Sequence, residues 1–152
     1  MIELRDYQKG DEPEIMNLLK TVLAGYELKT NPAVTDSDIL NIEQSYLRNN
    51  GAFKVLTDDK KIIGSFGIFK ISTNICELRK MYLYKSYHGQ GLGKRMMIDA
   101  INVAKCLGYK EMVLETNSRL EEAKRLYEIF GFKEYQPDHL SDRCDYAMKL
   151  KF

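Results

Sequence analysis

From residue 2 the chain alternates apolar and polar positions through IELRDY, the period of a half-buried strand, and then changes to a helical period. Asp11, with Glu14 three residues on and Pro13 in the first turn, predicts a capped helix running to about Ala24, with Leu18, Leu19, Val22 and Leu23 as its apolar stripe. Residues 25–35 read as a loop. Asp36 or Ser37 then caps a second helix through about Arg48, with Ile39, Ile42, Tyr46 and Leu47 facing inward. Two β-like runs, 52–57 and 62–71, flank the charged turn Asp58-Asp59-Lys60-Lys61 and predict a hairpin. Residues 75–84 alternate again, placing Cys76, Leu78, Lys80 and Tyr82 on one face and Ile75, Glu77, Arg79, Met81 and Leu83 on the other. A helix from Leu92 to Leu107 ends at Gly108, and a short strand follows at 111–116. A helix at about 119–130 closes on Gly131, and strands at about 132–135 and 144–150 complete the order β αα βββ α β α ββ, a mixed α/β chain.

At 152 residues, 44% hydrophobic and 30% charged, the chain suits one domain, 1–152, able to bury a full core, which sets aside disorder and disulfide-scaffold readings. No apolar run approaches the roughly 18 residues of a bilayer-spanning helix. The opening MIELRDYQKGDEPE has acids where a signal peptide would be apolar, so a cytoplasmic protein is expected. Cys76, Cys106 and Cys144 are an odd, dispersed set without metal-ligand spacing. They read as reduced thiols, Cys76 and Cys106 on apolar faces, and no metal site is expected. A net charge of +1 gives no general attraction to nucleic acid or anionic membrane.

Charge is uneven along the chain all the same. The stretch 78–98 carries five basic residues, Arg79, Lys80, Lys85, Lys94 and Arg95, and no acid. It brackets HGQGLGK (88–94), a strand-to-helix turn with glycines at 89, 91 and 93. Such a turn lets backbone approach a ligand and leaves helix N-terminal N–H groups pointing at one spot, which suits phosphate. Lys94 and Arg95 stand where the helix dipole prefers an acid, so an external anion would compensate them. The spacing fits neither a P-loop, because Arg95 follows Lys94, nor the dinucleotide fingerprint, which needs G-x-x-G after its first two glycines. The plain alternative is a tight turn beside a solvated basic face.

The stretch ELRKMYLYKSYHGQGLGKRMM resembles the acetyl-coenzyme A (acetyl-CoA) motif of the GNAT superfamily of N-acetyltransferases, Q/R-x-x-G-x-G/A, with His88 at the Q/R position and Gly91 and Gly93 at the glycines. LETNSRLEEAKRLYEIFGFKEY (114–135) is similar to the family's second motif through Ala123, Leu126, Tyr127, Gly131 and Phe132. The resemblance implies a splayed, mixed, mostly antiparallel sheet flanked by helices, with the acetyl donor in the V between its fourth and fifth strands. It also implies that backbone of Met81, Tyr82 and Leu83 meets the pantetheine arm, while Gly89, Gln90, Gly91, Leu92, Gly93 and Lys94 cradle the pyrophosphate. Two positions depart from the pattern: His88 replaces Gln or Arg, and Leu120 stands where many members carry a cofactor-contacting Asn, with Asn117 out of register.

Acetyl transfer to an amine needs a neutral nucleophile, a polarised carbonyl and a protonated leaving thiolate. A lysine-like amine of pKa ~10.4 costs about 4 to 5 kcal/mol to hold neutral at pH 7, so a base is worth having. By alignment with the family, Glu77 or Glu115 is that base, Glu77 being favoured for sharing a strand face with Arg79 and Met81; a carboxylate simply paired with Arg79 or Lys80 is the alternative. The resemblance makes Tyr127 the acid that protonates the thiolate, against the alternative of a packed aromatic, and makes a backbone N–H, that of Met81, the group polarising the thioester. Tyr82, Tyr84, Tyr87 and Tyr135 read as packing or rim residues and His139 as a solvated group near the acceptor. The expected partners are acetyl-CoA and an amine acceptor, a small molecule or peptide, with no nucleic acid and no membrane. A non-catalytic acyl-CoA sensor is the competing reading. The acceptor would be set by the first two helices and the loops 25–35 and 136–143, where Glu27, Asp36 and Asp38 offer charge for a cationic amine. A homodimer is one open assembly, the closing strand being able to pair across an interface.

Overall fold

The computed structural model describes all 152 residues, arranged around one seven-stranded sheet in the order β1-β2-β3-β4-β5-β7-β6. The strands are β1 (Ile2–Asp6), β2 (Ala52–Asp58), β3 (Lys61–Lys70), β4 (Ile75–Leu83), β5 (Glu111–Thr116), β6 (Lys133–Tyr135) and β7 (Tyr146–Lys151). All neighbours pair antiparallel except β4 and β5. The helices are α1 (Glu12–Ala24), α2 (Ile42–Ser45), α3 (Leu92–Cys106) and α4 (Glu121–Ile129). Alternation along the strands feeds two cores. On one face Leu56, Ile63 and Phe66 meet Met96, Met97, Ala100 and Ala104 of α3; on the other Phe53, Val55 and Ile62 meet Ile15, Leu18 and Leu19 of α1 with Ile42 and Tyr46. Each fully buried Val, Leu, Ile, Phe or Met among them contributes about 1.5–3 kcal/mol.

The β4–β5 pair determines the site. It is parallel and holds for only three positions, Ile75↔Glu111, Cys76↔Met112 and Glu77↔Val113, after which the strands part. From Leu78 onward the β5-facing edge of β4 has no strand partner, so its backbone groups remain free for a ligand.

A β-bulge interrupts β4 just past that point. Arg79 pairs with Gly67 and Tyr82 with Ser65, so Lys80 and Met81 together oppose Phe66. Lys80 takes φ +55, and Ser65 Oγ donates to its carbonyl at 2.7 Å. The extra residue reverses the predicted faces. Lys80 and Tyr82 join Glu77 and Arg79 on the α1 side, whereas Met81 and Leu83 join Cys76 and Leu78 over the α3 core. Glu77 therefore shares a face with Arg79 but not with Met81.

Other expectations change for similar reasons of partner competition. Asp11 forms no side-chain cap; its carboxylate takes two hydrogen bonds from Arg5, at 2.8 and 3.1 Å, and Glu14 instead accepts from the Ile62 N–H. The second helix is broken into a 3-10 turn at Ser37–Asn41, the single α turn α2, and another 3-10 turn at Leu47–Asn49. Asp36 is drawn into a buried ion network rather than a cap, and Leu47 and Cys106 are exposed. The β2–β3 turn is as predicted, with Asp59 and Lys60 both at positive φ, the backbone that matches strand twist in two-residue hairpins.

Candidate functional site

Where β4 and β5 separate, two cavities open and meet. The first, about 420 Å³, is mostly apolar and lies between the end of β4, the glycine turn and α4. Gly89 and Gly91 hold φ +80 and +77, and no protein atom lies within 4 Å of where a Cβ would stand on either. Gly91 is the N-cap of α3, so the first N–H groups of a 15-residue helix face the cavity mouth with Lys94 beside them. At Gly93 an added Cβ would sit 3.4 Å from Leu126 Cδ2, in contact with α4. His88 Nε2 lies 3.1 Å from the Leu83 carbonyl oxygen, tying the turn to the strand that precedes it. Every residue read from the sequence as a donor contact lines this cavity except the exposed Gln90.

The second cavity, about 470 Å³, is the more polar of the two and lies on the opposite side of the opening, walled by loop 25–35 and the β6–β7 loop. Glu77 and Glu115 both line it. Glu77 is opposite Val113 and Glu115 is two positions further along β5, so the two carboxylates project from one sheet face. Glu77 is buried and hydrogen-bonded by Arg79 Nε. Burial pushes its carboxyl above the ordinary value, with Glu115 adding to the rise and Arg79 opposing it. Glu115 accepts from the Ser141 N–H at 2.8 Å.

The outer wall of this cavity is pinned by a buried ion network. Asp36, fully buried, takes Lys80 Nζ at 2.7 Å and the two terminal nitrogens of Arg143 at 2.7 and 2.8 Å, and accepts from the Asn31 N–H. Burial alone would raise the Asp36 carboxyl; Arg143 and Lys80 outweigh it and hold the group well below its ordinary value. The network joins the β4 bulge to two loops, with Asp36 lying 44 residues from Lys80 and 107 from Arg143 in sequence. It corrects the reading of 78–98 as one phosphate patch: Lys80 and Arg79 are neutralised in the second cavity, and only Lys94 lines the first. Asp36, Asp38 and Glu27 line neither cavity.

Four residues line both cavities: Met81, Tyr82, Leu120 and Tyr127. Tyr127, on α4, packs its ring 5.8 Å from that of Phe132, and no hydrogen bond perturbs its hydroxyl. Burial pushes its phenol well above the ordinary 10, so the hydroxyl is protonated at neutral pH. Leu120, at the N-cap of α4, is buried and gives the junction an apolar wall; Asn117 lines the second cavity only and donates to the Arg143 carbonyl at 2.9 Å.

A split sheet with an anion-suited helix N-terminus on one side and paired carboxylates on the other invites comparison with known proteins. The family model described as acetyltransferase (GNAT) family matches residues 15–132. The chain is also 33% identical over 128 residues to an uncharacterized N-acetyltransferase, YjgM, of Escherichia coli, covering 81% of this chain and 77% of that one. The chain belongs to the GNAT acetyltransferase family. A GNAT acetyltransferase from Staphylococcus aureus superposes on this member with a TM-score of 0.91 over 99% of both chains at 21% identity. The PaiA N-acetyltransferase of Thermoplasma acidophilum, solved in complex with coenzyme A, does so at 0.76 over 100% of this chain and 99% of that one, at 20% identity. Mouse and human relatives are longer, the chain spanning about half of their length. No helix of this acetyltransferase is long and apolar enough to cross a membrane.

Tyr127, Glu77, Glu115 and the glycine turn, singled out from the sequence, line the two cavities; Arg143, Cys144 and Ser141 of the second and Val22, Tyr26 and Glu122 of the first were not singled out as site residues. His139, expected near the acceptor, does line the second cavity.

Proposed function

We propose that this member of the family transfers the acetyl group of acetyl-CoA to a primary amine, with the donor in the apolar cavity and the acceptor in the polar one. The observation that carries this reading is the meeting of the two cavities at Met81 and Tyr127. The solved PaiA relative holds coenzyme A, and the open glycine turn with its free helix amides suits a pyrophosphate. Bound there, acetyl-CoA supplies a thioester as the electrophile. The chain's own groups do the rest. The unpaired edge of β4 offers a backbone N–H, that of Met81, to the thioester oxygen. The amine nitrogen bonds to the acetyl carbon and the carbon–sulfur bond breaks. The amine proton passes to Glu77, directly or through water, with Glu115 beside it, and Tyr127 gives its proton to the sulfur. The raised Glu77 carboxyl makes a better base than an exposed glutamate, and the apolar burial of Tyr127 keeps its proton in place until a thiolate forms.

Thiol release from acetyl-CoA across a panel of amines tests this. Activity in the wild type that is severely slowed in Tyr127→Phe supports the assignment. Equal rates would remove Tyr127 from the chemistry, and coenzyme A binding without release on any amine would leave a sensor.

A further inference from the structure

Three cations line the acceptor-side cavity, and two of them are fully engaged. Lys80 Nζ is held by the Thr35 carbonyl at 2.9 Å and Asp36 at 2.7 Å, with Asp38 at 3.4 Å. Arg143 closes its fork on Asp36 and gives a further bond to the Lys29 carbonyl. Their side chains are 6% and 12% exposed, against 32% for Arg79. Arg79 is fixed in a different manner. Its Nε donates to Glu77 and its guanidinium carbon stacks 3.6 Å from the centre of the Phe69 ring, which immobilises the plane while leaving both terminal nitrogens without a protein acceptor. A guanidinium held at Nε and by one face presents its remaining edge as a ready two-point receptor for a planar anion.

Glu77 lies directly beside that edge, and Glu115 has one carboxylate oxygen bonded to the Ser141 N–H. The wall thus presents a carboxylate and an open guanidinium side by side. This is the complement of a molecule whose ammonium and carboxylate sit on neighbouring atoms. Resting on the acetyl-transfer reading, we infer that the acceptor is an amino acid or a compound with an amino-acid head, its carboxylate bound by Arg79 and its amine directed toward Glu77. A simple amine or polyamine would leave the Arg79 edge desolvated and unpaired, which disfavours it.

The test compares acceptors within one enzyme. Each of several amino acids is assayed for thiol release from acetyl-CoA beside its primary amide and its decarboxylated amine, in the wild type and in Arg79→Lys and Arg79→Gln. The wild type is expected to prefer the free carboxylate by roughly 10- to 100-fold in kcat/KM. That ratio should collapse toward unity in Arg79→Gln and fall partway in Arg79→Lys. Because the readout is a ratio within each variant, losses through folding or through Glu77 cancel. Equal wild-type rates on amino acid, amide and decarboxylated amine overturn the inference and leave acetyl transfer standing, as does a preference that survives in Arg79→Gln. Coenzyme A binding with no thiol release on any acceptor overturns both readings.

Discussion

The two sides of the split sheet are built by different means. The apolar side is built mainly from one continuous stretch, from Met81 through Lys94, closed by α4; its anion-suited groups are backbone amides at the N-terminus of α3 beside Lys94, and its turn depends on glycines at positive φ. The other side is assembled from β4, β5, loop 25–35 and the β6–β7 loop, and is held by charged side chains far apart in sequence. A site made of backbone tolerates changes at most side chains around it. A site made of buried ion pairs depends on each partner, because removing one leaves the others charged and unsolvated. The common element is the junction at Met81, Tyr82, Leu120 and Tyr127, where each side loses meaning without the other.

The largest effect should come from the junction. Tyr127→Phe is expected to lower kcat by about 100-fold or more, the range for loss of a positioned acid, while calorimetric affinity for coenzyme A holds. An equal loss of affinity would instead make Tyr127 a structural part of the donor side. Next is the ion network. Asp36→Asn leaves Lys80 and Arg143 buried without their counter-charge, and urea unfolding should show a loss of about 3–5 kcal/mol. The Asp36 carboxyl is depressed in the folded state, so its stabilisation is complete above its unfolded value of 3.8 and is lost as pH falls below that. The acid limb of the stability profile should accordingly flatten in the variant.

Glu77→Gln separates base from scaffold. The wild-type kcat/KM should climb with pH through a carboxyl titration lying above the ordinary 4.5, because the ionised form is the active one and folding has raised its pKa. The variant should lose that limb and about 100-fold in rate; a rate that holds in the variant would take the base role from Glu77. The smallest effect is on the backbone side. Gly91→Ala forces a side chain into φ +77 at the N-cap of α3 and should cost about 1–2 kcal/mol in stability, with weakened coenzyme A binding and an unchanged acceptor preference.

The same contrast explains what could be read in advance. The element order, the hairpin and the glycine turn follow from local periodicity and short spacing, and all are found in the structure; Tyr127 was singled out by the family resemblance and lines both cavities. The bulge at Lys80 was hidden because alternation assumes one residue per position; a single extra residue exchanged the faces of Met81 and Tyr82. Asp36 looked like a cap because caps and buried ion partners use the same side chain, and only the fold brings Arg143 to it. Likewise Asp11 found a stronger partner in Arg5 than in its own helix. The long-range charges remained illegible because nothing in the spacing of residues 36, 80 and 143 links them.

The central claim is that acetyl transfer takes place where the two cavities meet. A crystal structure with coenzyme A tests it most directly. The account predicts the pyrophosphate against the amides of Gly89–Lys94 and the sulfur between the Met81 backbone and the Tyr127 hydroxyl, at the mouth of the Glu77 cavity. A thiol that ends away from Tyr127, or a coenzyme bound outside the opening between β4 and β5, would contradict it.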